Sequence, residues 1–385
     1  MIDRIIESRL RNAKKSILLL GPRQTGKSTL VRSLRPALEV NLARETEFLT
    51  FSANPSELEE RLAKTRPSTV FIDEVQRLPS LLNTVQALID DAKIGGAPLK
   101  FFLTGSSARK LRRGQANLLP GRILSFSLGS LAAAEIGDEL DVKRALELGT
   151  LPEPYLEPDR SAAEKLLESY AGTYLREEIQ AEALSRNLQG FSRFLQVAAA
   201  SSGQILDYSK LAQKARVSRT STMRYFELLD DTLLVYRLSP FADAPAADLI
   251  KHPKYYFFDT GVLNGLLGNF LASDDRIGNL FEHLVVGQLR ATAMAYDKKM
   301  DLQTFRTRGG LEVDFMVRIG ETLWAVEAKA TSNLRAHDGE ALLAAARHLP
   351  RGTRKVITIP SGPARVLAGG VELLPLPQLL AEMFT

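Results

Sequence analysis

The amino-acid sequence predicts an α/β protein in three parts, and the spacing of apolar residues carries this prediction. Residues 1–155 alternate short apolar runs with helical patterns, which favours a mainly parallel sheet with helices on both faces. Residues 156–245 show mainly helical spacing. Residues 246–385 follow the order helix, three strands, helix and strand. We therefore expect an α/β domain at each end and a helical segment between them.

Two clusters of prolines set the expected domain boundaries. They lie at 152–158 and within 238–254. Proline removes a backbone donor and restricts the residue before it, so both stretches are expected to be linkers or sheet edges. The predicted domains are therefore 1–155, 156–245 and 246–385.

The composition is that of an ordinary globular protein. Hydrophobic residues make up 45% and charged residues 25% of the 385 residues. No apolar run approaches the roughly 20 residues that span a bilayer, and no signal sequence is visible, so no membrane partner is expected. Cysteine is absent, which excludes disulfides and thiolate metal sites and favours a cytoplasmic location. The net charge of +5 is compatible with a polyanionic partner.

The first part is expected to contain at least four strands. The apolar runs lie at 17–20, 70–72, 99–104 and 123–128. A helical pattern lies between the second and third runs. Its apolar residues are Leu81, Leu82, Val85, Leu88 and Ile89.

A phosphate-binding loop follows the first strand directly. The sequence GPRQTGKS fits the pattern GxxxxGK[ST] between a strand and a helix. Glycines let backbone N–H groups approach phosphate oxygens, and the positive end of the helix points at them. Lys27 is expected to supply charge to the β and γ phosphates, and Ser28 to ligate Mg²⁺. The expected nucleotide-binding residues are Gly21, Pro22, Arg23, Gln24, Thr25, Gly26, Lys27, Ser28 and Thr29.

Two further strand ends are expected beside this loop. The run at 70–72 ends in Asp73 and Glu74. Asp73 is predicted to hold the Mg²⁺ shell, and Glu74 to polarise the attacking water. The run at 99–104 ends in Thr104 and Ser106, and one of these hydroxyls is expected between the other two strands as a γ-phosphate sensor.

An arginine is expected to stabilise the charge of the transition state. Arg122, in LPGR before the fourth strand, is the first candidate. Arg109, Arg112 and Arg113 remain alternatives, and a solvated basic face is the simpler interpretation.

These motifs resemble the AAA-type ATPases of bacteria and archaea that carry a C-terminal domain of unknown function. The resemblance rests on GPRQTGKST, FIDEVQRLPSLL, LTGSSARKL and LPGRI, and further along on TYLREEI, KYYFFDTGVLNGLLG, GNLFEHLVVGQL, EVDF and WAVEAKA. It implies an AAA-type P-loop parallel sheet, ATP as the nucleotide, and a homo-oligomer in which an arginine of one subunit completes the neighbour's site. The phosphate loop alone does not exclude GTP.

The middle part has the pattern of a winged helix-turn-helix. Leu211 and Ala212 lie on one predicted helix, and Ser218 can cap a second helix, before a strand at 233–238. The turn position that glycine often takes is Arg216. Between Tyr208 and Tyr225 there are no acids and five basic residues: Lys210, Lys214, Arg216, Arg219 and Arg224. DNA is therefore one expected partner, and a lid or protein contact is the alternative.

The last part contains a carboxylate–lysine constellation. Glu327 and Lys329 share one face of a strand, and Asp314 can face Glu327 if the two strands pair around Gly320. Glu282 can add a third carboxylate. Such a set can hold Mg²⁺ and orient a nucleophilic water. The element order and these four residues resemble the PD-(D/E)XK nucleases, which implies catalytic roles for Asp314, Glu327 and Lys329 and metal ligation by Glu282, Asp314 and Glu327.

The simpler interpretation of this constellation is a set of cross-strand ion pairs, and a nuclease-like fold can also persist as a binding platform. Of the other residues, His283 is expected to lie on a helix surface and Trp324 to pack in the core. Asp259 is expected to lie in a turn or cap a helix, with a position lining the cleft as the alternative. The sequence thus favours a Mg²⁺-dependent ATPase that acts on DNA. The alternative is an ATP-controlled switch or assembly protein whose C-terminal parts bind protein partners without catalysis.

Overall fold

The computed structural model describes residues 2–96, 98–106, 119–174, 188–241, 243, 249–331, 334 and 336–385. Three alternatives from the sequence, Arg109, Arg112 and Arg113, lie outside these ranges, as does the boundary expected near 245.

The chain packs into two compact units. The first contains residues 1–129 with 231–233, and the second contains 130–230 with 234–385. The boundary expected near 155 therefore falls inside the second unit. Residues 130–155 belong to the same compact unit as the C-terminal part of the chain.

The first unit is a five-stranded parallel sheet with the order β2-β3-β4-β1-β5. The mainly parallel sheet predicted from the sequence is confirmed, and all four predicted runs are strands. The strands are β1 Ser16–Leu20, β2 Leu38–Asn41, β3 Thr69–Asp73, β4 Lys100–Gly105 and β5 Ile123–Ser127. The helices are α1 Glu7–Asn12, α2 Lys27–Ser33, α3 Glu45–Ala53, α4 Glu57–Thr65 and α5 Leu81–Ile94.

Both faces of this sheet are buried, because successive strand residues point to opposite sides. In β1, Leu18 packs with Val70 and Leu103 on one face. Its neighbours Ile17 and Leu19 belong to the apolar cluster of the other face. This arrangement explains why these strands are continuous apolar runs in the sequence.

The second unit begins with helices. They are α6 Ala133–Ile136, α7 Val142–Leu148, α8 Pro152–Leu156, α9 Arg160–Ser169, α10 Leu188–Ala200, α11 Tyr208–Ala215, α12 Arg219–Asp231, α13 Thr260–Leu267, α14 Ile277–Ala295, α15 Glu340–Ala346 and α16 Leu376–Phe384. Asp259 caps α13, because its Oδ1 accepts hydrogen bonds from the backbone of Gly261 and Val262 at 2.9 and 3.2 Å. This confirms the expected helix cap.

The second unit also contains an eight-stranded mixed sheet with the order β12-β13-β11-β10-β9-β8-β6-β7. Its strands are β6 Val235–Pro240, β7 Lys254–Phe257, β8 Met300–Arg306, β9 Glu312–Ile319, β10 Thr322–Ala328, β11 Arg354–Ile359, β12 Arg365–Leu367 and β13 Val371–Pro375. The helix, three strands, helix and strand expected from the sequence are α14, β8 to β10, α15 and β11.

The helix-turn-helix consists of α11 and α12. Arg216 ends α11 in the left-handed conformation, with φ +53°, so the turn forms without glycine. Ser218 accepts a hydrogen bond from the backbone of Ser221 at 3.0 Å, as expected of an N-cap. The strand expected to form a wing is β6, and it pairs with β7 and β8 inside the large sheet.

Two single-residue expectations have different outcomes. Trp324 is buried with 3% exposure and packs in the core as expected. His283 is only 1% exposed, so its expected position on a helix surface is wrong. The error arises because α14 buries residues around most of its circumference. No helix in the described part of the chain combines the length and the apolar character needed to cross a membrane.

Candidate functional site

The phosphate loop is built from a close backbone approach and a left-handed turn. A Cβ added at Gly21 would lie 2.0 Å from the backbone oxygen of Leu128, so only glycine fits without displacement. Gly26 has φ +88° and precedes the first residue of α2. The loop therefore passes from β1 to α2 with the helix N-terminus open toward it.

Lys27 is held inside this loop. Its side chain is only 4% exposed, and its Nζ donates to the carbonyl oxygens of Gly21 and Pro22 at 2.9 and 2.7 Å. The backbone of the loop thus holds the ammonium group close to where the phosphates are expected to bind.

A hydroxyl–carboxylate cluster joins three elements of the first unit. Asp73 Oδ1 accepts hydrogen bonds from Ser28 Oγ at 2.8 Å and from Thr104 Oγ1 at 2.5 Å. The strand β4, which carries Thr104, lies between β3 and β1 in the sheet. Parallel strands end at the same edge, so the sheet itself brings these side chains to the phosphate loop.

Glu74 follows Asp73 in an unusual conformation. Its φ of +58° places a non-glycine residue in the left-handed region, which costs roughly 1 kcal/mol. Its side chain accepts a hydrogen bond from Gln76 Nε2, which also donates to Ser106 Oγ at 3.0 Å. Gln76 was not singled out from the sequence, because a glutamine two residues after an acidic pair has no motif of its own. It connects the expected base to the second candidate sensor.

These residues fit a Mg²⁺-bound nucleoside triphosphate. The lysine of the loop is placed on backbone carbonyls, the hydroxyl of Ser28 adjoins the Asp73 carboxylate, and both types of oxygen are ones that Mg²⁺ prefers. The residues for phosphate and cation are therefore adjacent at one edge of the sheet.

An arginine near the N-terminus, Arg4, hydrogen-bonds to the backbone of the phosphate loop. Arg4 donates to the carbonyl oxygen of Thr25 at 2.8 Å and to that of Gly129 at 3.0 Å. Arg4 is 9% exposed. No sequence motif marks it, because the contact spans residues far apart in the chain.

Arg122 lies at the amino-terminal end of the parallel strands, whereas the phosphate loop lies at their carboxyl end. It precedes β5, whose first residue pairs with Ser16 at the start of β1. Its guanidinium makes two 2.8 Å hydrogen bonds to the carboxylate of Asp90, which lowers the pKa of Asp90. The two ends of the strands are separated by the length of β1, roughly 15 Å. Arg122 therefore cannot contact a nucleotide bound at the phosphate loop of its own chain.

The carboxylate–lysine constellation of the second unit forms around the antiparallel pair β9–β10. Val326 pairs with Phe315, so the next step along the ladder sets Glu327 opposite Asp314. Lys329 Nζ donates to Glu327 Oε1 at 2.9 Å, and the backbone N–H of Ala328 donates to Asp314 Oδ2 at 2.9 Å. The sequence prediction that the two carboxylates face each other matches this register.

Burial and like charges act strongly on these carboxyl groups. Burial raises the pKa of Asp314 well above its usual range, and the charges of Glu327 and Glu282 raise it further. Burial also raises the pKa of Glu282, against the opposing charge of Lys254 and a hydrogen bond from Tyr256. For Lys329, burial favours a lower pKa, but the Glu327 carboxylate outweighs it and the pKa is raised.

Three further residues complete this site. Lys254 Nζ lies 2.5 Å from Glu312 Oε1, and Tyr256 donates to Glu282 Oε2 at 2.9 Å. Burial lowers the pKa of Lys254, but its hydrogen bond to Glu312 and the charge of Glu282 give a net increase. The sequence offered one signal for them: Glu312 precedes Asp314 by two, and so shares its strand face.

The expected metal set does not appear as a compact group. Among the residues that the structure describes, no three carboxylates or histidines lie close enough together to hold a metal ion. Ammonium groups instead lie near the carboxylates, Lys254 at Glu312 and Lys329 at Glu327. Metal ligation by Glu282, Asp314 and Glu327 stays a prediction.

Three family models match successive segments of the chain. Residues 13–137 match an AAA domain. Residues 139–273 match a domain of unknown function, DUF8612, and residues 277–379 match another, DUF4143. The first unit therefore carries an AAA-type P-loop domain.

The curated relatives include uncharacterized proteins of Mycobacterium tuberculosis and Mycobacterium bovis. Each is 27% identical over 326 residues, which cover 82% of this chain and 70% of the relative.

Solved structures that resemble the chain include three proteins. The replication initiator DnaA bound to AMPPCP and single-stranded DNA has 11% identity and a TM-score of 0.28, with 58% of this chain and 85% of that chain covered. Aeropyrum pernix ORC1 in complex with DNA has 15% identity and a TM-score of 0.29, with 72% and 91% covered. Thermotoga maritima RuvB has 17% identity and a TM-score of 0.26, with 61% and 86% covered. At these scores the likenesses carry no argument about function.

Proposed function

We propose that this chain binds and hydrolyses ATP in the presence of Mg²⁺. The observation that carries the proposal is the hydrogen-bonded set of Ser28, Asp73 and Thr104 beside the buried Lys27. A solvated polar strand end would not require three elements to converge on one carboxylate. Convergence at the edge where the phosphate loop begins is what nucleotide chemistry requires.

Each residue has a separate role in this proposal. Lys27 moves its ammonium from the loop carbonyls to the phosphates, and α2 directs its positive end at them. Ser28 and Asp73 hold Mg²⁺, which neutralises phosphate charge when bound. Glu74 orients and polarises the attacking water, and Gln76 keeps its carboxylate in place. Thr104 donates a hydroxyl toward the γ-phosphate and is favoured over Ser106, because its hydroxyl already contacts Asp73.

Arg122 is proposed to act on the nucleotide of a neighbouring copy. Its position at the edge away from its own phosphate loop requires a second subunit for that role. In its own chain it is paired with Asp90, so this ion pair has to open when the neighbour binds.

Two substitutions test the nucleotide site. Lys27→Ala should lose ATP binding or hydrolysis by orders of magnitude, because it removes the buried ammonium group that is expected to neutralise phosphate charge. Glu74→Gln should retain binding and slow hydrolysis, because an amide polarises water weakly. Binding is measured with a fluorescent ATP analogue and hydrolysis by phosphate release. Normal turnover of folded Lys27→Ala protein would refute the proposal.

The proposed target of this ATPase is DNA, with the helix-turn-helix as its contact. All five cations of the basic stretch are exposed, whereas the aromatic residues of α12 point inward. Phe226 packs edge-on against Tyr255 at 4.7 Å and fixes α12 on the sheet. A rigid helix with cations on its outer face suits the groove of a duplex.

The competing proposal is an ATP-controlled switch that binds a protein through its C-terminal parts. Exposed cations on α11 and α12 are compatible with an acidic protein as well. DNA affinity measured by fluorescence anisotropy at several salt concentrations distinguishes the two. DNA affinity should fall steeply as the salt concentration rises. The substitution Arg224→Gln should also lower it. Absence of DNA binding, together with an ATP-dependent change in oligomer size, would favour the switch.

The PD-(D/E)XK-like role of the second unit is a separate part of this proposal. It is supported by the pairing of β9 with β10, which sets Asp314 opposite Glu327 beside Lys329. Cleavage is tested with plasmid and linear DNA in Mg²⁺ or Mn²⁺. Lys329→Ala is the matched variant, because it removes the cation of the site and leaves both carboxylates.

A further inference from the structure

A cavity of about 390 Å³ in the second unit has three cationic side chains in its wall. Lys210 comes from α11, Lys254 from β7 and Arg306 from the end of β8. The bridge between Ile205 and Lys254 brings the segment before α11 onto β7, which places these elements around one space. None of the nucleotide-site residues lines this cavity.

The cations of the cavity are only partly neutralised by the protein. Glu312 is shared between them, with Lys254 Nζ at 2.5 Å and Arg306 Nη1 at 3.4 Å. Arg306 Nε is buried and finds no hydrogen-bond partner within the described ranges. Lys210 is exposed and forms no ion pair with any described residue. One carboxylate therefore serves two cations, and a third cation is left over.

The remaining acid of the cavity is already engaged. Asp207 caps α11, because its Oδ1 accepts from the backbone N–H groups of Ser209 and Lys210 at 2.9 and 3.0 Å. These bonds lower the pKa of Asp207 and fix its carboxylate on the helix end. The side chain of Lys210 is not tied down in the same way. The lining itself carries three cations, Lys210, Lys254 and Arg306, and one acid, Asp207, while Glu312 pairs with two of these cations from outside the lining.

We propose that this cavity binds a phosphate group of a nucleic-acid backbone. Arginine and lysine donors from three elements suit the two non-bridging oxygens of a backbone phosphate, and the ammonium groups of Lys210 and Lys254 with the terminal nitrogens of Arg306 are the donors. The proposal rests on the DNA contact proposed for the helix-turn-helix. It identifies the part of the second unit that binds the DNA strand beyond that contact.

The position of Lys254 links this cavity to the carboxylate site. It lines the cavity, and the charges of Glu282 and Asp314 reach it closely enough to raise its pKa. Lys254 also pairs with Glu312, which precedes Asp314 by two residues on β9. The proposed path of the DNA strand therefore runs from the α11–α12 contact to a cavity whose Lys254 is paired with a residue of β9.

The test compares DNA affinity of the full chain with that of Arg306→Gln and of a matched control, Arg351→Gln. Arg351 is exposed in the turn before β11 and does not line the cavity. Arg306→Gln should weaken binding about three- to tenfold for any DNA sequence, and should reduce the slope of log affinity against log salt by about one. The control should change neither quantity, and melting temperatures check that all variants fold.

The other outcomes are decisive as well. If Arg224→Gln weakens DNA binding and Arg306→Gln behaves like the control, the cavity proposal is overturned and the DNA contact of the helix-turn-helix stands. If the wild-type chain binds no DNA even at low salt, both are overturned as nucleic-acid sites. In that case, stabilisation by inorganic phosphate that Arg306→Gln abolishes would identify a free-phosphate site instead.

Discussion

Replacing Thr104 with valine separates the sensor role from the structural role of this residue. Valine preserves the shape of the buried side chain and removes only the hydroxyl, which is fully buried in the wild-type chain. That hydroxyl donates to Asp73 at 2.5 Å and accepts from the backbone N–H of Glu74 at 3.3 Å. Asp73 keeps its hydrogen bond from Ser28. The perturbation is therefore confined to two hydrogen bonds at one edge of the sheet.

The magnitude follows from the kind of bond lost. A hydrogen bond to a charged group contributes about 1.5–3 kcal/mol, and the 3.3 Å bond contributes less. We expect Thr104→Val to lower the free energy of unfolding of the first unit by about 2 kcal/mol. For a unit of this size the melting temperature should fall by about 5–10 °C.

The effect on catalysis should exceed the effect on stability. If Thr104 contacts the γ-phosphate, hydrolysis at saturating ATP should slow by on the order of 10- to 100-fold, with ATP affinity nearly unchanged. Phosphate release and a fluorescent ATP analogue measure the two quantities at a temperature where the variant is folded. Thr104→Ser keeps the hydroxyl and should retain most of the activity. Wild-type turnover by folded Thr104→Val would refute the sensor role.

Three further predictions concern the other sites. Mixing Lys27→Ala with Arg122→Ala chains should partly restore ATP hydrolysis, because each mutant supplies what the other lacks. Mn²⁺ at about 100 times its Kd should stabilise the wild-type chain by about 2.7 kcal/mol, and Asp314→Ala or Glu327→Ala should abolish this. Burial raises the pKa of Asp259 to about 6 from 3.8, so the folded chain binds the extra proton between these values. The free energy of unfolding should then fall by up to about 3 kcal/mol as pH rises from about 4 to 6, and Asp259→Asn should flatten that dependence.

Each of these predictions has an outcome that would contradict it. A chain that hydrolyses ATP as a strict monomer by light scattering would reject the shared arginine. If adding Mg²⁺ or Mn²⁺ does not change the melting temperature, the carboxylate site has no role in metal binding. An unchanged pH dependence in Asp259→Asn would assign the titration to another group.

The parallel sheet and its nucleotide edge could be predicted because their signals are local. Strands buried on both faces are continuous apolar runs, and the loop after β1 has a fixed spacing of glycine, lysine and serine. The strand β2 escaped prediction because Leu38–Asn41 is short and mostly not buried. Gln76 escaped because its role depends on where the chain turns after Glu74.

The second unit was harder to predict because its sites come from distant residues. Lys254 and Glu312 are 58 positions apart and meet only because β7 and β9 belong to one sheet. The wing of the helix-turn-helix stays a prediction, and the wider pairing of its strand could not be predicted for a related reason. The apolar strand after α12 was a correct prediction, but nothing local shows that β8, more than 60 residues later, is its partner.

The sheet of the second unit constrains how this chain can have been assembled in evolution. The match to DUF8612 ends at 273 and that to DUF4143 begins at 277, which suggests two modules joined end to end. Yet β6 and β7 lie in the first of these segments, and β6 pairs with β7 on one side and with β8 of the second segment on the other. Recombination between 273 and 277 would leave β8 as an open edge with unpaired backbone groups. It would also leave β6 and β7 as an isolated two-stranded ribbon, which is at best marginally stable in water. The two segments should therefore be inherited together, as one domain with two sequence profiles.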